Sequence, residues 1–164
     1  MGFVTPILRN SPDFAALHLF NTIFGAGMTS KLFQNVRERL SLCYSIGSAI
    51  YVTKGILTVN AGVDFEKEQQ TRQEILHQLE LCKQGQITQE ELRSAKEAIY
   101  SGLRSAMDSP GAIEGYHSTA ALNGTVLSRE EYMEAVEKLT IADVAAAANT
   151  VTYHSSYFLK GVEA

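Results

Sequence analysis

The sequence holds 164 residues, 45% apolar and 20% charged, with a formal net charge of −4. That length supports one domain with a sizeable core, and the acidic balance without a Lys/Arg run argues against a nucleic-acid partner, which needs a basic face. No apolar stretch approaches the ~20 residues that span a bilayer, so no membrane partner is expected.

The opening residues MGFVTPILRNSPDF lack the charged start and apolar run of a signal peptide. Gly2-Phe3-Val4 enters a strand at once, as expected of a piece of a longer protein, and residues 2–8 form a β-compatible run. Ser11-Pro12-Asp13 predicts a helix start, with Ser11 as N-cap and Pro12 at the first helical position. Phe14 to Phe24 is apolar almost all round, which predicts a buried helix. Gly25 and Gly27 are expected to end it, as left-handed caps. A second helix begins at Thr29 or Ser30, with Leu32, Phe33, Val36 and Leu40 on one face at 3.6-residue spacing.

Leu42 to Val52 reads as a strand. One face carries Leu42, Tyr44, Ile46, Ser48, Ile50 and Val52; the other carries Cys43, Ser45, Gly47, Ala49 and Tyr51, mostly small. Thr53-Lys54-Gly55 turns the chain, and Ile56 to Val63 alternates as the hairpin partner. Beyond this the chain is mostly helical. Asp64 is the expected cap of a helix to about Lys83, ended by Gly85. Thr88/Glu91 and Ser128/Glu131 have capping-box spacing, Thr140/Asp143 a weaker version, and Ser109-Pro110 starts a helix ending near Asn123-Gly124. Tyr153 to Lys160 closes as a strand. The expected fold is therefore α+β over residues 1–164: an antiparallel sheet of about four strands layered against helices.

The chemistry-bearing residues are sparse. His18, His77, His117 and His154 are far apart, and neither HExxH nor HxxEH occurs. His77 shares a helix face with Glu74 and Glu80, a pairing far short of a metal site. His18, on the buried helix, is expected to be a hydrogen-bonded core residue. There is no GxSxG elbow, and Cys43 lies on a small-residue strand face that suits packing. Cys43 and Cys82, without a CxxC, read as free thiols of a reducing, cytoplasmic compartment. The segment FGAGMTSK has the wrong spacing and context for a phosphate loop. Arg37 and Tyr44 stand out: a helix end, a turn and a strand start separate a fork of donors from a phenol donor, a pair suited to a peptide backbone or a developing oxyanion. Spacing alone favours the plainer reading, a surface arginine and a packed tyrosine.

The segment FGAGMTSKLFQNVRERLSLCYSIGS resembles the signature of the C-terminal-type domain of the pitrilysin/insulinase (inverzincin) zinc metallopeptidases, roughly LGGGxSSRLFxxVREkxGLAYS. Phe24-Gly25, Gly27, Ser30, Leu32-Phe33, Val36-Arg37-Glu38, Leu42 and Tyr44-Ser45 fit. ITQEELRSAKEAI, LRSAMDSPGAIEGY, LSREEY with TIADV, and SSYFLKG follow in the family's order. The resemblance implies a half-domain that carries no metal of its own. It implies zinc on HxxEH in a partnering N-terminal half or homologous subunit, a peptide substrate enclosed between them, and a possible dimer. It maps Arg37 and Tyr44 onto the substrate-contacting pair, and assigns no catalytic residue to this chain. The alternative is a domain of an inactive homologue that serves as a peptide-binding or assembly subunit. Ala26, Lys31, Ser41 and Cys43 depart from the pattern; at Ser41, where the family has glycine, a left-handed backbone would cost roughly 1 kcal/mol.

Overall fold

A computed structural model describes residues 1–106, 108–124 and 127–161. Four strands, β1 (Gly2–Val4), β2 (Ser45–Tyr51), β3 (Ile56–Gly62) and β4 (Thr152–Ser155), form one antiparallel sheet in the order β2-β3-β1-β4. The expected hairpin is present: β2 and β3 pair from Ser45↔Gly62 to Tyr51↔Ile56. Gly55 takes the left-handed φ of 61° at its turn, where its carbonyl also receives the Thr5 N–H at 2.9 Å. The fold class is as expected, α+β.

Helix α1 (Phe14–Phe24) is the centre of the core. Leu17, Leu19, Phe20 and Phe24 are fully buried, so the helix is apolar on every side and needs cover on every side. The sheet covers one face; α2 (Glu68–Lys83), α3 (Gln89–Ala106), α5 (Arg129–Lys138) and α6 (Ile141–Asn149) cover the others. Helix α4 (Pro110–Asn123) is different: among the described residues it buries none.

Local signals place the later helices. Ser109 caps α4 with Pro110 behind it, and Gly124 ends it at φ 64°. The Thr88, Ser128 and Thr140 capping boxes all form. Other boundaries shift. The Ser11 hydroxyl accepts the Leu8 N–H instead of capping α1, which starts after Asp13. Asp64 makes no side-chain cap; a 3-10 turn, Phe65–Lys67, leads into α2. β1 and β4 are shorter than their apolar runs, because among the described residues only Gly2–Val4 and Thr152–Ser155 find pairing partners.

Candidate functional site

The segment from Gly25 to Tyr44 links α1 to the sheet. It first crosses the edge of β2 that faces away from β3. The Ser48 N–H donates to the Gly25 carbonyl at 3.0 Å, and the Ser48 hydroxyl donates to the buried Asn21 Oδ1 at 2.7 Å. A Cβ on Gly25 would lie 2.5 Å from Ser48 Oγ. Gly25 has a φ of −153°, so it is not the left-handed cap that the sequence suggested; its role is close approach. Gly27, at φ 123°, is the positive-φ glycine of the loop. Ser30 then bonds back to the Gly27 carbonyl at 2.7 Å and opens the next helix.

That helix, Leu32–Arg39, is π-helical rather than the expected α-helix. Its wider turn is visible at the exit. The Leu40 N–H reaches back to the Asn35 carbonyl and the Leu42 N–H to the Val36 carbonyl, at 3.1 and 3.0 Å. Ser41, at φ 49°, is the left-handed residue of this exit. Buried Leu42 and Val36 pack beneath it, while Leu40 turns outward. The 3-10 turn and α2 pin the exit from outside: Lys67 Nζ donates to the Ser41 carbonyl at 3.2 Å, and Thr71 Oγ1 to that of Leu42 at 3.4 Å.

Arg37 lies in the last turn of this helix. Its guanidinium stacks on Phe33, 4.6 Å from the ring centroid, and sits 3.4 Å from the Glu38 carboxylate. The Glu38 pair is exposed enough to contribute little; the Phe33 ring holds the plane of the fork. Arg37 also faces the half-buried Cys43 thiol. Burial raises that thiol above its ordinary value and the Arg37 charge opposes the rise, so Cys43 is a poor thiolate and suits the packing role.

Tyr44 is 87% exposed. This corrects the strand reading, which put it on one face with Ile46 and Ile50. Those two pack on the core. The regular strand begins at Ser45, and the Tyr44 N–H bonds the Gly62 carbonyl at 2.8 Å just before it. The structure thus sets Arg37 and Tyr44 at the two ends of one short exit, the first braced and the second projecting. Among the described residues no hydrogen bond or ring contact joins them.

The sequence reading noted Lys31 only as a departure from the family pattern and gave it no partner. Lys31 is 8% exposed, and its Nζ lies 2.8 Å from Glu91 Oε1. Burial alone would raise the Glu91 carboxyl, but hydrogen bonds from Lys31 and Thr88 and the Lys31 charge outweigh it and hold the pKa below the ordinary value. The pair ties the start of the π-helix to the capping box of α3. Nothing local to Lys31 announces a partner sixty residues away.

The histidines do not converge. His18 Nδ1 is 2.8 Å from the Tyr132 hydroxyl, as expected of a satisfied core residue, and burial followed by the Arg9 charge lowers its pKa to about 4. His77 is exposed on α2, His117 stands on α4 and His154 on β4. Among the described residues no three His, Cys, Asp or Glu side chains are grouped to hold a metal.

The family model described as "Peptidase M16 inactive domain" matches residues 1–99. The chain is 29% identical over 163 residues to a "Probable inactive metalloprotease YmfF" of Bacillus subtilis, covering 99% of this chain and 38% of that protein. It is 32% identical over 154 residues to an "Uncharacterized zinc protease" of Rickettsia bellii, covering 92% and 37%. A solved structure described as a peptidase M16 inactive domain from Pseudomonas fluorescens superposes with a TM-score of 0.80 at 26% identity, covering 92% of this chain and 38% of that one. The chain thus spans a little over a third of the length of these relatives.

Proposed function

From the premise that this chain belongs to the family of peptidase M16 inactive domains, we propose that it is the metal-free, substrate-holding half of a zinc endopeptidase, closing on a zinc-bearing half that it pairs with. One observation carries the reading. A motif that resembles the family's substrate-contacting pair folds into a braced exit that leaves the Tyr44 phenol in solvent, with no side-chain hydrogen-bond partner among the described residues. The exposed phenol stands beside a left-handed serine and a π-helix, and such backbone features recur at functional positions.

In this reading Tyr44 donates its hydroxyl proton to a peptide carbonyl or to the oxyanion that develops from it. Arg37, its plane held by Phe33, presents a fork of donors to an adjacent carbonyl or to a carboxylate of the peptide. Both donors are useful only when the opposing half excludes water, because hydrogen bonds offered to solvent discriminate nothing. Zinc chemistry is assigned to the opposing half: the four histidines here sit on separate elements. The test is Tyr44→Phe in the assembled pair, where turnover should fall with little change in KM.

A second reading has one observation in its favour. The Bacillus subtilis relative is named a probable inactive metalloprotease. In that case the same rim would bind peptide, or hold a partner chain, without hydrolysis. Peptide binding that depends on Arg37 and Tyr44 in an assembly that cleaves nothing distinguishes it.

A further inference from the structure

We infer that the domain carries a second pocket, at the opposite end of α1 from Gly25, that takes a carboxylate with an apolar body and is headed by Arg9. Arg9 is clamped by two aromatic faces. Its guanidinium carbon is 4.6 Å from the Phe14 centroid and 5.4 Å from that of Tyr132. The Tyr132 ring is itself fixed by the bond between its hydroxyl and His18. Among the described residues no carboxylate lies within ion-pair distance of Arg9, although acidic residues outnumber basic ones 18 to 14. A half-buried arginine held against two rings, with no carboxylate partner among the described residues, is suited to a planar anion.

The space beside it fits that chemistry. Arg9, Asn10 and Ser11 line a cavity of about 320 Å³ whose other walls include Ala120 and Leu127. Ala120 and Leu127 also line a neighbouring cavity of about 540 Å³, between α3, α4 and the start of α5. Leu103, Ile113 and Ala121 face this second space, which is why α4 buries nothing of its own. Volumes of this order hold small ligands. The arrangement is a charged head at one end and an apolar arm at the other, with shared walls between. It recognises a carboxylate on an apolar chain, whether a fatty acid or the C-terminus of an apolar peptide. This pocket is independent of the Arg37 and Tyr44 rim.

Calorimetric titration of the 164-residue chain tests it, with decanoate against decan-1-ol and N-acetyl-Leu-Val-Leu acid against its amide. The carboxylate of at least one pair is expected to bind about tenfold or more tighter than its neutral analogue, the scale of a charge-assisted hydrogen bond. Arg9→Gln should abolish that preference without weakening the neutral analogue, and Ile113→Trp should weaken both members. Preference within the decanoate pair points to a fatty acid, within the peptide pair to a C-terminus. Arg9→Lys keeps the charge without the fork, and should lose part of the preference; it serves if Arg9→Gln does not fold. Absence of binding, equal binding of acid and neutral analogue, or a preference that survives both Arg9 variants overturns the assignment.

Discussion

Lys31 Nζ and Glu91 Oε1 meet at 2.8 Å beneath the surface, and Glu91 also accepts the Thr88 N–H of its own capping box at 2.7 Å. One carboxylate therefore closes a helix start and neutralises a buried ammonium. Glu91→Gln retains a capping acceptor but leaves Lys31 buried with no counter-charge. It should cost about 2 kcal/mol of unfolding free energy, less than the roughly 3–5 kcal/mol for breaking a fully buried pair, because Glu91 is partly exposed. Glu91→Ala should cost about 1 kcal/mol more through the lost cap. Urea denaturation of the two variants measures both.

Acid should weaken the same pair. The Glu91 pKa is lowered in the folded state, so its contribution is complete above the unfolded value, near 4.3, and is lost as pH falls through the folded value. In Glu91→Gln this part of the acid limb should be absent from a plot of stability against pH.

His18 adds a separate acid limb at higher pH. Its folded pKa of about 4 lies below the unfolded value near 6.5, so the unfolded chain binds the extra proton between them. Stability should fall as pH drops from 6.5 toward 4, and His18→Asn should flatten that interval. Tyr132→Phe should cost about 1 kcal/mol at neutral pH, where the hydroxyl bond is made. A stability curve for His18→Asn that parallels the wild type would contradict a buried neutral histidine.

Ser41→Gly should stabilise the domain by about 1 kcal/mol, since φ 49° is free to glycine and strained for serine. Gly25→Ala should destabilise it by about 1–3 kcal/mol, because the new methyl overlaps Ser48 and Leu32. Thermal melts of the two variants should move in opposite directions.

The sequence made the local features legible. The Thr53-Lys54-Gly55 turn between alternating runs specified the hairpin, and each Ser/Thr with Glu/Asp three residues on specified a cap, because those interactions are complete within a few residues. Gly25 was legible as special but not for the right reason; its steric partner is Ser48, on another element. The π-helical turn was hidden because Leu32, Phe33 and Val36 fit a 3.6 spacing, and the wider turn shows only in the reach of Leu40 and Leu42 back to Asn35 and Val36. Tyr44 continues the alternation of β2 in sequence, yet it lies before the regular ladder begins and faces water. The candidate pair was therefore visible as Arg37 and Tyr44, while their supports, Phe33, Lys67 and Thr71, were not.

The most direct measurement is steady-state peptide hydrolysis by this chain paired with a zinc-bearing half, comparing wild type with Tyr44→Phe, Arg37→Ala and the double variant. Tyr44→Phe should lower kcat by about 10²–10³-fold, the cost of one oxyanion donor, with KM nearly unchanged. Arg37→Ala should raise KM as well. Full activity of the double variant would contradict the assignment and return both residues to structural roles.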